Sequence, residues 1–269
     1  MPADSSSKAG NYGGLTMEKI YMIPVNDAYS EQNGCPICRL RGLAEKNYLE
    51  YYLGPSLMEP DTRKITNKTG FCPVHMGKLN QAVTNRLGLG LVMHTHLKDF
   101  NDELNPKLKS AIPAKSGLIK GRNSEYKHRL NSIADLIDER VSRCPICDNM
   151  NDAMKHYIEV ICWMFSHDNE FKDKFTKAEC HCLPHTALLL RQASSLSQNE
   201  ASDFVTALYE NNSQSFDSLI SDVEYFTLKF DYRNTDKPWG TSKNSIQRSM
   251  RFLSSDDRNF DEQQTKKQN

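Results

Sequence analysis

Eight side chains in this 269-residue chain have the types and the spacing of metal ligands. Cys35-Pro36-Ile37-Cys38 is followed by Cys72-Pro73-Val74-His75, and Cys144-Pro145-Ile146-Cys147 is followed by Cys182-Leu183-Pro184-His185. Thirty-three residues separate the pairs the first time and thirty-four the second. The register repeats with a single-residue slip, the mark of a duplicated unit. Each unit offers three thiolates and one imidazole, a closed set for a tetrahedral ion, with zinc the first choice and iron the second. The expected quartets are Cys35, Cys38, Cys72 and His75, then Cys144, Cys147, Cys182 and His185. Two ions per chain follow. A closed ligand set leaves no position for water or substrate, so both sites read as structural rather than catalytic. Disulfides within the CxxC pairs would leave the two histidines without a role. Cys180, beside His181 and Cys182, could replace Cys182 as a ligand, but the repeat register favours Cys182.

These ligands need helices to hold them. A proline at the first helical position loses no hydrogen bond, so Cys35 and Cys144 can cap helices that begin at Pro36 and Pro145. The positive end of a helix also favours thiolate over thiol. Each ion would then pin helix N-termini together. Apolar residues recur at helical spacing through most of the chain. The first stripe is Leu40, Leu43, Ala44, Tyr48 and Tyr52, stopped by Gly54-Pro55. A single long helix is predicted from Met76, Leu79, Val83, Leu87, Leu91, His94 and Leu97. Others carry Tyr126 to Val141, Met150 to Phe165, and Phe171 with Phe175 behind an Asp168 cap. Another follows His185. Ser197-Gln-Asn-Glu200 is a capping box opening the stripe from Phe204 to Phe230, and Ile246, Met250 and Leu253 mark a last helix. No stretch alternates with period two. The expected architecture is an all-α bundle of two related halves, each holding one zinc site.

The expected organisation is a disordered extension (1–16), a first zinc-stapled half (17–104), a basic linker (105–123), a second half (124–253) and a disordered tail (254–269). The ends lack the apolar content to offset chain entropy. The linker holds two prolines, two glycines and Lys107, Lys109, Lys115, Lys120 and Arg122.

Composition excludes several functions. Thirty-four Lys+Arg balance thirty-four Asp+Glu, so no general basic surface offers itself to nucleic acid. No apolar run approaches the roughly 18 residues of a membrane span, and no signal-peptide pattern opens the chain. A cytoplasmic protein is expected, in a reducing compartment where paired cysteines hold metal.

The chain resembles an uncharacterised bacterial family with a duplicated CPxC…CxxH framework. The resemblance rests on Cys35-Pro-Ile-Cys-Arg-Leu, Met58-Glu-Pro-Asp-Thr-Arg, the run from Asn67 to Gly70-Phe71-Cys72, Leu87-Gly-Leu-Gly-Leu, and Phe230-Asp-Tyr-Arg-Asn with Lys237-Pro-Trp-Gly. It covers about Ile20 to Leu253. It implies a zinc-type framework in a helical cytosolic protein and carries no biochemical activity.

Beyond the metal ligands, Glu59, Asp61 and Arg63 lie in the expected loop between the first two knuckles and could bind a polar ligand, though capping and ion pairing explain them as well. His94 falls on the apolar stripe of its helix and reads as a core or pocket histidine, whereas His96 does not. Cys162 reads as a small buried apolar residue, and Trp239 as an anchor for the turn after the long helix. The glycines of Leu87-Gly-Leu-Gly-Leu lack a preceding strand and read as permitting close helix approach. No nucleophile elbow, phosphate loop or dinucleotide fingerprint occurs. The function expected is a zinc-binding helical module for an unknown protein or small-molecule ligand. The rivals are an enzyme using Glu59, Asp61, Arg63 and His94, and a thiol-based redox sensor.

Overall fold

The computed structural model describes residues 12–31, 34–82, 85–112 and 124–255, without the side chains of 12–19. Among them are eleven α-helices and no strand: α1 (Tyr12–Ser30), α2 (Pro36–Leu53), α3 (Pro60–Thr69), α4 (Pro73–Gln81), α5 (Arg86–Ala111), α6 (Ser124–Ser142), α7 (Pro145–His167), α8 (Asn169–Thr176), α9 (Leu183–Ala193), α10 (Gln198–Leu228) and α11 (Ser245–Ser254). The all-α expectation holds.

The chain divides into two compact units. One is continuous, from Leu43 to Ala153; the other joins Met1–Gly42 to Met154–Asn269. The sequence divides instead into 17–104 and 124–253, so the contact division follows a different line. Helices α2 and α7 carry residues of both units.

In the continuous unit, α3 packs on α5 through polar groups. Arg63 donates from Nη2 to the Leu91 carbonyl (3.0 Å) and to Thr95 Oγ1 (2.6 Å). Thr95 in turn donates to Asn67 Oδ1 at 2.6 Å. From α6, Arg140 donates to the carbonyls of Asn67 (3.2 Å) and Lys68 (2.7 Å) at the end of α3, and pairs with Asp99 and Glu103 of α5. A cation there meets the negative end of the α3 dipole. Gly70 follows α3 at φ +62°, and a Cβ on it would lie 2.7 Å from His96 Nε2. Both its conformation and its contact with that ring demand glycine. Gly88 likewise lets α5 approach Leu57, whose Cδ1 would lie 2.5 Å from an added Cβ.

The other unit is built on aromatic packing. Phe165, Phe171, Phe175 and Phe204 are fully or almost fully buried. Phe175 stacks on His181 with ring centroids 4.7 Å apart, and Tyr29 meets Phe171 edge-on at 4.9 Å. The expected caps are present. Asp168 accepts from the amides of Glu170 and Phe171, and Ser197 and Glu200 form the reciprocal box opening α10. After α10, the buried Lys229 ammonium donates to the carbonyls of Asn234 (2.6 Å), Thr235 (2.9 Å) and Lys237 (2.5 Å). It sits 5.2 Å from the Trp239 ring, so Trp239 does anchor this turn.

Several element boundaries differ from expectation. Helix α1 has no counterpart in the expected elements: residues 12–16 of the expected extension lie in it, and it runs through Pro24. Residues 1–11 lie outside the described residues. The segment read as a loop around Glu59 to Arg63 is α3, whose buried face is Thr62, Thr66 and Thr69. A threonine face gives no apolar period to detect, and Pro60 sits at the first helical position. The single helix from Met76 to Leu97 is two: α4 ends at Gln81, and Asn85 caps α5 by accepting from the Gly88 amide at 2.8 Å. The basic linker begins as helix, since α5 continues through Pro106 to Ala111; residues 113–123 lie outside the described residues, as do 256–269 of the expected tail.

Candidate metal centres

All four ligand pairs stand at helix starts. Pro36 and Pro145 begin α2 and α7 directly after Cys35 and Cys144, whose carbonyls accept from the amides of Cys38 (3.1 Å) and Asp148 (3.0 Å). Cys72 and Cys182 are the N-caps of α4 and α9, and their carbonyls accept from Met76 and Thr186, both at 2.8 Å. Proline occupies one of the first two helical positions in each case, where no intrahelical donor is lost. A CxxC or CxxH placed on such a start turns both side chains toward the free N–H end of the helix.

The structure brings the eight expected residues into two quartets, but not the quartets expected. Cys35 and Cys38 join Cys182 and His185; Cys72 and His75 join Cys144 and Cys147. Each CxxC therefore meets the CxxH of the other sequence repeat. Within each quartet the ligand atoms lie within 4.8 Å of one another. Either pairing satisfies the same chemistry, because each offers three sulfurs and one imidazole. Chain connectivity does not decide it either: a ligand pair 144 residues apart costs only about 1 kcal/mol more in loop closure than one some 34 apart. Helix packing selects the pairing, and spacing alone does not report it.

The first quartet lies wholly in the discontinuous unit and the second wholly in the continuous one. In the first, Cys38 Sγ is 3.7 Å from Cys182 Sγ, and His185 Nδ1 is 3.1 to 3.5 Å from the three sulfurs. In the second, Cys72 Sγ is 3.8 Å from Cys147 Sγ, and His75 Nδ1 is 3.2 to 3.3 Å from its three sulfurs. A tetrahedral ion with metal–sulfur bonds of about 2.3 Å sets its sulfurs about 3.8 Å apart. A disulfide would hold them at about 2.05 Å. The sulfur separations fit an ion-sized centre, and none of the eight cysteines is in a disulfide.

The donors crowd each other electrostatically. Burial alone would raise the Cys144 thiol, but the bond to His75 brings it down to about 6. Burial and the Cys144 thiolate push Cys147 up to about 12. Burial opposes charge on His75, yet Cys144 and Glu45 lift it to about 10. In the other quartet Cys35 is held low against its burial by bonds from Cys182 and Cys38, while bonds to Cys35 and Cys38 drive Cys182 up. Packed this closely, one thiolate raises the thiol beside it, and a divalent ion would offset that crowding.

His75 also has an outer partner the sequence did not suggest. Its Nε2 lies 3.3 Å from Glu45 Oε1, and Lys78 Nζ donates to the same oxygen at 2.5 Å. With Nδ1 turned to the sulfurs, a carboxylate on the far nitrogen fixes ring orientation and tautomer. Glu45 lies on α2, one turn beyond Arg41, and only the folded chain places it behind His75. His181 carries no signal in the sequence either. It is fully buried, and its ring bonds Tyr29 at 3.0 Å and Asn211 at 3.1 Å. Burial pushes it down to about 4. It supports the first quartet as a neutral core residue.

Cys180 is not in the quartet; it lines a cleft beside it, and burial pushes its thiol up to about 12. Cys162 is buried, as expected. The polar set Glu59, Asp61, Arg63 and His94 does not converge. Arg63 is spent on α5, Asp61 pairs with Lys64 at 2.9 Å, and Glu59 and His94 are exposed. The two histidines of α5 exchange roles. His96 is the buried one, with Nδ1 2.7 Å from the Asn67 carbonyl. The buried face of α5 is Gly88, Val92 and His96, while Leu87 and Leu97 face outward.

No helix among the described residues is long and apolar enough to cross a membrane. No functionally curated protein matches the chain, and no solved structure does. Over residues 16–259 it matches a family of unknown function, DUF6062, and this chain belongs to that family.

Proposed function

We propose that the protein is a zinc protein with two structural Cys3His centres, and that its helical scaffold serves as a binding module for a protein or small-molecule ligand. The observation that carries this reading is the pair of quartets, each with three sulfurs and a histidine Nδ1 at tetrahedral spacing. Zinc is the divalent ion that suits three thiolates and one imidazole without redox chemistry of its own. Cys35, Cys38, Cys182 and His185 would hold one ion; Cys72, His75, Cys144 and Cys147 would hold the other. The ion supplies cross-linking: it ties two helix starts together and neutralises thiolates. With four protein donors at each centre, no coordination position is left for substrate, and a binding role fits better than an enzymatic one.

Elemental analysis of protein purified without added metal tests this. Two zinc ions per chain are expected. One ion or none, or iron in the same positions with a thiolate-to-iron charge-transfer band, would overturn it. Mild peroxide separates this reading from a thiol-based sensor, since structural centres should keep their zinc under conditions that empty a sensor.

A further inference from the structure

A second cleft, of about 410 Å³, lies in the discontinuous unit, away from the metal ligands. Its long wall is one stripe of α7: His156, Glu159, Trp163 and His167, spaced by three to four residues. Tyr21 of α1 and Glu200 of α10 face it. We propose that this cleft binds a small organic amine in its protonated form.

Three features point to that ligand class. The first is sign: Glu159 and Glu200 line the cleft, the former 3.4 Å from His156 Nδ1 and the latter bonded to Ser197, and among the described residues no lysine or arginine lines it. The carboxyl ends of two helices add to it, since His167 is the last residue of α7 and Gln192 sits in the last turn of α9. The amino ends beside them, those of α8 and α10, are capped by Asp168 and by the Ser197–Glu200 box. The second is the aromatic wall. Tyr21 stacks on His156 with centroids 5.0 Å apart, and Trp163 on His167 at 4.8 Å. Stacking fixes these rings in place, and Trp163 keeps 41 % of its surface exposed. Fixed ring faces attract cations through the aromatic quadrupole. The third is size. The volume falls within the range of small-molecule sites, at about 300–1,000 Å³.

The chain has two tryptophans, Trp163 and Trp239, so W239F leaves Trp163 as the sole reporter in the metal-loaded full chain. Benzylamine, benzyl alcohol and benzoate share size and differ in charge. Benzylamine should change Trp163 emission saturably, with a dissociation constant about tenfold below that of benzyl alcohol, and benzoate should bind more weakly still. E159Q, at a solvent-facing carboxylate, should abolish most of the amine's advantage without altering metal content or helicity. Equal affinity for amine and alcohol would overturn the proposal. So would an unchanged preference in E159Q, or no saturable change with benzylamine up to about 10 mM. None of these results bears on the zinc reading, which is measured by metal content.

Discussion

Cys38 Sγ lies 3.7 Å from Cys182 Sγ across 144 residues of sequence, while Cys72, the cysteine that follows it in the chain, belongs to the other quartet. This exchange of partners has a direct genetic signature. C38S and C182S damage one centre and should each lower metal content from two ions to one. The double variant C38S/C182S should also retain one ion, because both changes strike the same centre. C38S/C72S should retain none. If instead C38S/C72S kept one ion and C38S/C182S lost both, the quartets would be those read from spacing alone. Metal analysis of the refolded variants decides between the two.

Glu45 should matter to the second centre without touching the ion. Its carboxylate lies 3.3 Å from the far nitrogen of His75. E45Q should weaken metal binding at that centre about 10- to 100-fold, the usual cost of removing a histidine's outer carboxylate. Competition with a chromophoric chelator measures this, and the first centre serves as the internal control. Equal loss at both centres would show a general folding defect instead.

Gly70 should not tolerate a side chain. Its φ of +62° and the His96 ring, 2.7 Å from where an alanine methyl would sit, act together. G70A should lose about 2 kcal/mol or more, read from denaturant unfolding of the metal-loaded chain. G90A is the control: a Cβ at Gly90 meets nothing within 4 Å, and alanine suits a helix better than glycine.

Lys229 holds the turn after α10 by three charge-assisted bonds to carbonyls. Methionine matches its length but leaves those carbonyls unsatisfied. K229M should cost about 2 to 3 kcal/mol and shift the emission of Trp239, which stands 5.2 Å from the ammonium.

Asp222 gives a pH dependence of known sign. Burial would raise its carboxyl, but the Thr241 hydroxyl (2.7 Å) and the Arg248 guanidinium hold it below the usual value of 3.8. A carboxylate held low in the folded chain stabilises it fully above the unfolded value and loses that contribution as pH falls through the folded one. The stability difference between wild type and D222N should therefore be constant above about pH 5 and shrink below 3.8. Comparing the pair cancels any proton competition at the candidate metal ligands, which both proteins share.

The sequence determined the chemistry of the centres and much of the local structure. Eight candidate ligands were legible because a CxxC or CxxH beside proline specifies a helix start and two donors within four residues. The Asp168 cap and the Ser197–Glu200 box were legible for the same reason, being interactions between near neighbours in the chain. Helices with apolar stripes, such as α7 and α10, are legible too; α3, with its threonine face, is not. Tertiary structure alone decided the rest. Which CxxC meets which CxxH, that His96 rather than His94 is buried, and that Glu45 stands behind His75 all depend on contacts between distant segments. Two chemically equivalent pairings differ by only about 1 kcal/mol in chain entropy, so neither ligand type nor spacing could separate them. The packing of the helices against one another makes that choice.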